Sequence, residues 1–217
     1  MRLRTRSALA PDRGTLALGA VAAAAVGAVA VGEIGRVWRR GSAPVPGETE
    51  NLLLAAEEAV AETAQVAREG YRQASSRENA LFNMLASFAG TFLATRWITY
   101  VLRGRSRVGP FRNVRVGRRH IHHFVPGIIL AFASGAAAIL TRDEDLEPKL
   151  AVPFAVGMGL TLDESALLLE LDDVYWRREG LLSVQITLAV IALLSALTLA
   201  LRLLRRGEQV VLDPTVP

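Results

Sequence analysis

No cysteine occurs among the 217 residues, which excludes disulfides, thiolate metal sites and cysteine nucleophiles whichever compartment a segment faces. Lysine is nearly absent too. The basic side chains are 24 arginines and one lysine, Lys149, and against 21 acids they leave a formal net charge of +4. Aromatic residues make up 6% of the chain, and no basic platform interleaved with aromatics marks a nucleic-acid surface, so no nucleic-acid partner is expected. Neither a phosphate-binding loop nor a dinucleotide fingerprint is present. Ser165 and Ser183 have no His–acid relay at a visible spacing, which leaves a serine nucleophile unsupported.

Long apolar runs are what the chain has in quantity. Hydrophobic residues account for 51% of positions with a mean hydropathy of +0.30, and the charges collect between runs at 15–31, 80–102, 124–141, 150–171 and 181–204. Most of these approach the ~20 residues that carry a helix across ~30 Å of hydrocarbon. The expected fold is all-α: a polytopic membrane helix bundle of four to five transmembrane helices with one long amphipathic extramembrane helix, in a multi-pass protein of the cell membrane. Residues 1–40 read as an N-terminal membrane anchor or signal segment, 41–79 as the extramembrane helix, 80–204 as a four-helix membrane core and 205–217 as a polar tail. The first run fits either description. It has a basic start and a small-x-small site at Ala28-Val29-Ala30, as signal peptides do, and also a Gly19, Ala23, Gly27 stripe suited to close helix packing.

Arginine clustering predicts the orientation. Segment 103–123 holds seven arginines and no acid, which suits the cytoplasm, whereas 142–149 holds four acids and suits the outside. The N-terminus then lies inside. Arg36, Arg39 and Arg40 after the first run, and Arg202, Arg205 and Arg206 after the last, run against this assignment. From Glu48 to Asn79 the spacing of Leu53, Ala56, Val60, Ala64, Ala67, Tyr71 and Ala74 predicts one amphipathic helix leading into the membrane run at Ala80. Its seam suits packing on its own chain or a homo-oligomer through a coiled coil with a second copy. Gly127, Ala131 and Gly135 form another small-residue face for a close crossing. Pro126 and Pro153 are expected near helix starts, and Trp38, Trp97, Tyr100, Tyr175 and Trp176 as interfacial anchors beside membrane lipids.

Two motifs, HIHHFVPG from His120 to Gly127 and TLDESALLLELDDVYWRREG from Thr161 to Gly180, resemble a group of actinobacterial integral membrane proteins of uncharacterised function. The resemblance spans about a third of the chain, from Gly117 to about Gln185. It implies a membrane location and a shared core, and brings no activity or cofactor. Where the group's pattern often has another residue, such as His, this chain has Glu170.

Ionisable residues within membrane runs are expensive and mark candidate sites. On a helix of about 100° per residue, Asp163, Glu170 and Asp173 share a face, Glu164 lies about 100° away and Asp172 points nearly opposite. Arg96 and Arg103 share a face at the same seven-residue interval as Asp163 and Glu170, which predicts ion pairs Arg96–Asp163 and Arg103–Glu170 between parallel helices. The three histidines, His120, His122 and His123, precede the third membrane helix. With Glu170 and Asp173 they form a candidate ligand set for a divalent transition metal, zinc, iron or manganese.

Three functions fit these residues. One is a metal-dependent hydrolase or transferase acting on a lipid or phosphate ester at the cytoplasmic interface, with Asp163 or Glu164 as catalytic acid/base. Another is an ion or proton pathway in an oligomer, with the acids as a relay. The third is a non-enzymatic membrane scaffold.

Overall fold

A computed structural model of the chain describes the backbone of residues 13–101, 107–108, 111–112, 115–116, 119–120, 124–141, 143–163 and 178–212, and side chains within 19–98, 124–163 and 188–212 apart from Arg96 and Arg142. The architecture is helical. Its six described helices are α1 (Arg13–Arg40), α2 (Leu52–Arg72), α3 (Ser76–Val101), α4 (Phe124–Leu140), α5 (Glu147–Asp163) and α6 (Arg178–Val211). Between α3 and α4 lie two antiparallel ladders of two residues per strand, β1 (Arg107–Val108) with β2 (Phe111–Arg112), and β3 (Arg115–Val116) with β4 (Arg119–His120).

Local chemistry sets the boundaries. A turn closes between α1 and α2 through the Glu48 N–H donating to the Val45 carbonyl at 3.0 Å, with Pro46 and Gly47 at its centre and Gly47 at φ +107°. That is the Pro-Gly pattern of a type II turn, where the second central residue needs positive φ. Asn51 then caps α2, its side chain accepting from the Leu54 N–H at 3.2 Å.

The helix expected to run unbroken from Glu48 to Asn79 is two. Ser75 accepts from the Glu78 N–H at 3.3 Å, so Ser75-Ser76-Arg77-Glu78 supplies a Ser-x-x-Glu start signal that restarts the chain as α3. The packing face of α2 also differs from the expected one. Ala55, Ala59, Val66 and Gly70 are buried, whereas Leu53 is 85% exposed and Val60 is exposed as well. Small residues won because α2 crosses α6 with backbones nearly touching: a Cβ on Gly70 would overlap the Leu203 carbonyl, and one on Gly207 the Val66 carbonyl. A seam of Leu and Val could not approach so closely.

Helices α4 and α5 run antiparallel through a similar crossing. A Cβ on Gly127 would lie 2.9 Å from the Gly157 carbonyl oxygen, and one on Gly157 2.5 Å from the Ala131 nitrogen. The small-residue face expected on α4 therefore meets α5. Helix α5 packs on α3 as well, while α6 packs on α2 and α3, and α1 on α2 and α6. Ser76 bonds the loop before α5, Asn83 donates to the Pro148 carbonyl at 2.9 Å, and Gly159 sits against Thr91. Helices α3 and α5 thus run parallel, as expected. Helix α5 starts three residues before the expected run at 150, which puts Pro153 inside the helix and not near its start.

The described core is built mostly from small residues, with Val37, Val66, Phe92 and Leu203 as its large apolar members. Ala89, Ala155, Ala189, Ala192 and Ala196 are buried with the crossing glycines, whereas Val31, Phe132, Ile139 and Leu140 face outward, Ile139 at 85% exposure. Two helical stretches, Gly19–Arg40 and Leu188–Val211, are long and apolar enough to cross a membrane by length and composition, and Phe124–Leu140 is a shorter apolar helix.

Candidate functional site: an ionic cap and the opposite polar end

Glu33, Arg36 and Arg40 recur at three and four residues along α1, one turn apart on a single face. They meet the last turns of α6. Arg205 donates from both terminal nitrogens to Glu33, at 2.7 and 2.8 Å, and at 2.7 Å to Glu208. Glu208, only 3% exposed, also receives Arg40 at 3.0 Å and Arg36 at 3.1 Å. A second node joins α3 to α6 where Glu78 holds Arg206 at 2.9 Å and Arg202 at 4.0 Å. The Ser42 N–H donates to both Glu62 oxygens, at 3.1 and 3.2 Å, which ties α2 to the end of α1. All but Arg39 of the arginines that ran against the expected orientation are thus clamps of this cap, and Val37 beneath them is fully buried.

These carboxylates are poor candidates for acid/base work. Glu33, Glu78 and Glu208 are held by one, two and three guanidiniums, which occupy the lone pairs a general base would use. The chemistry of the cap is cohesion between helices. The acidic partners carry a sequence signal of their own, a lone acid, Glu33 or Glu208, beside each arginine cluster at the end of an apolar run.

Beside the cap a neutral polar layer continues it. Asn79 donates to the Tyr71 carbonyl at 2.8 Å, and Asn83 donates to the Tyr71 hydroxyl at 2.8 Å. No protein-family model, no curated protein and no solved structure matches the chain.

At the opposite end stands Asp163, the last residue of α5, half-buried. Two helix registers fix its level. Gly127 of α4 lies against Gly157, Leu160 and Thr161, so Phe124, three residues earlier, is level with about residue 163. Gly159 lies against Thr91, so the Arg96 backbone in α3 is level with Asp163 to within a helical turn. The side chain of Arg96, together with Arg103, His122, His123, Glu164, Glu170 and Asp173, lies outside the described residues. His120 is described through its backbone, paired in register with Arg115. Asp163 is thereby level with the start of α4, whereas Glu170, expected at that level, lies outside the described residues. Among the described residues no three His, Asp or Glu gather as a metal-holding group.

Proposed function

We propose that the chain is a multi-pass membrane scaffold in which α1, α3, α4, α5 and α6 cross the bilayer and α2 stands outside it. The exposure of large apolar side chains around a mostly small-residue core carries this reading. In lipid, large apolar side chains gain nothing by turning inward, and association falls to small residues and internal polar pairs. Spacing supports it as well. From Arg13 to Glu33, and from Glu78 to Trp97, the chain places twenty and nineteen residues, or about 30 and about 28 Å of helix, matching the hydrocarbon thickness. Helices α4 and α5, at 17 residues each, are about 25 Å long and fit a locally thinned layer.

The arginine-rich end faces the cytoplasm and the cap faces outward. With α1 and α6 rising toward the cap and α3 and α5 descending from it, segments 103–123 and 172–180 lie inside and 142–149 outside. The chain has no cysteine to remove, so single-cysteine labelling tests this directly. An impermeant maleimide should label Asp145→Cys in intact cells and Asn113→Cys only after permeabilisation. Labelling of position 113 from outside would invert the scheme.

A second reading rests on the level of two helix ends. Helix α4 begins one residue after His123 and the described part of α5 ends one residue before Glu164, at one level of the bundle. This favours a divalent metal held by His120, His122 or His123 with Asp163 or Glu164, serving a hydrolase or transferase at the inner face. Elemental analysis of protein purified without a histidine tag decides it: near-stoichiometric zinc, iron or manganese, lost in His120→Ala/His122→Ala, supports the metal site, and a metal content well below one per chain removes it.

A further inference from the structure

The segment between α3 and α4 carries seven arginines and no acid over 103–123. Its place is set by well-packed helices at both ends, since α3 delivers it at Val101 and α4 receives it at Phe124, on the side of the bundle away from the ionic cap. Within it the ladders put cation against cation. Arg107 stands opposite Arg112, with Val108 opposite Phe111; Arg115 stands opposite His120, with Val116 opposite Arg119. Because successive strand positions alternate between faces, the first ladder has a cationic face and an apolar face.

Like charges directly opposite each other destabilise a ladder, and strands this short have little else to hold them. An anion shared by facing guanidiniums reverses the sign, through charge-assisted hydrogen bonds that match phosphate geometry. The chain itself cannot supply enough acid. At this end the sequence offers Asp163, Glu164, Glu170, Asp172, Asp173 and Glu179, already accompanied by Arg96, Arg177 and Arg178. Even if every one of these acids were engaged, four of the seven arginines would stay uncompensated. The contrast with the cap is plain, where Arg36, Arg40, Arg202, Arg205 and Arg206 each meet a glutamate. Trp97, 68% exposed near the end of α3, marks the headgroup level ten residues before Arg107.

We propose that the two ladders form a binding surface for anionic phospholipid headgroups, with Arg107, Arg112, Arg115 and Arg119 as the phosphate-binding positions. The assignment rests on the membrane-spanning reading above. It is tested on the full chain in non-ionic detergent, titrated with dioleoyl phosphatidylglycerol or dioleoyl phosphatidylcholine and followed by native mass spectrometry. Phosphatidylglycerol should bind at least tenfold more tightly, less so as salt is raised, given about fivefold per arginine near an anionic surface. Changing Arg107, Arg112, Arg115 and Arg119 together to Gln should abolish the preference, whereas changing the same four to Lys should keep it. Changing Arg39, Arg68, Arg72 and Arg77 to Gln removes equal charge near the cap and should leave it intact. Equal binding of the two lipids, survival of the preference in the ladder Gln variant, or equal loss in the cap variant would overturn the assignment. Alkaline carbonate separates this from the parent reading: release of the chain from membranes sinks the spanning bundle, while a chain that stays in the pellet without a lipid preference sinks only the headgroup surface.

Discussion

Replacing Arg205 by Ala tests whether the ionic cap holds α1 to the bundle. Glu33, 9% exposed, would lose both guanidinium hydrogen bonds, at 2.7 and 2.8 Å, while Glu208 would keep Arg36 and Arg40. A hydrogen bond to a charged group contributes about 1.5–3 kcal/mol, and a buried charge left short of donors costs more. Arg205 is 37% exposed, so solvent screening brings the summed loss of the two bonds down to about 2–3 kcal/mol. Removing Glu33 as well relieves the stranded carboxylate. The double variant Arg205→Ala/Glu33→Ala should therefore be about 1 kcal/mol more stable than Arg205→Ala alone, an interaction of the size seen for contacting charges. Thermal unfolding in detergent reads this as a fall of roughly 4–12 °C for the single change, partly recovered in the double, at about 2–4 °C per kcal/mol for a chain of this length. If the two changes simply add, Glu33 and Arg205 do not depend on each other and the clamp is not what fastens α1.

Gly207→Leu would drive a side chain into the Val66 carbonyl, and the expected cost of roughly 3 kcal/mol should appear as new protease cleavage within α2 while α4 and α5 stay protected. Leu53→Glu, at a position 85% exposed, should change the melting temperature by less than about 2 °C, within the ±0.5 kcal/mol typical of surface sites; a large loss would reveal a second chain on that stripe. Arg96→Ala should destabilise more than Arg96→Ala/Asp163→Ala, because the single change strands a half-buried carboxylate level with it; equal melting temperatures would show that the two side chains do not meet.

Much of the helix layout was legible because apolar run length and arginine clustering are local signals. The start of α4 at Phe124 and the parallel course of α3 and α5 follow from them. The break after Arg72 was legible in principle, since Ser75-Ser76-Arg77-Glu78 spells a capping box, but the apolar spacing across it continues at three and four residues and hides the stop. The buried face of α2 was not legible. Counting apolar residues favours Leu53 and Val60, whereas the face that packs is chosen by how closely a neighbouring backbone comes.

By itself the sequence determined the helical class, the excess of large apolar side chains over what an interior needs, and the separation of an acid-free arginine segment from acidic ones. These depend only on residue type and spacing. The tertiary structure alone decided which charges meet. Glu33 and Arg205 are 172 positions apart, and no periodicity links them. It also decided that Asp163 is level with Phe124, because the register of two antiparallel helices is set where Gly127 and Gly157 let the backbones touch.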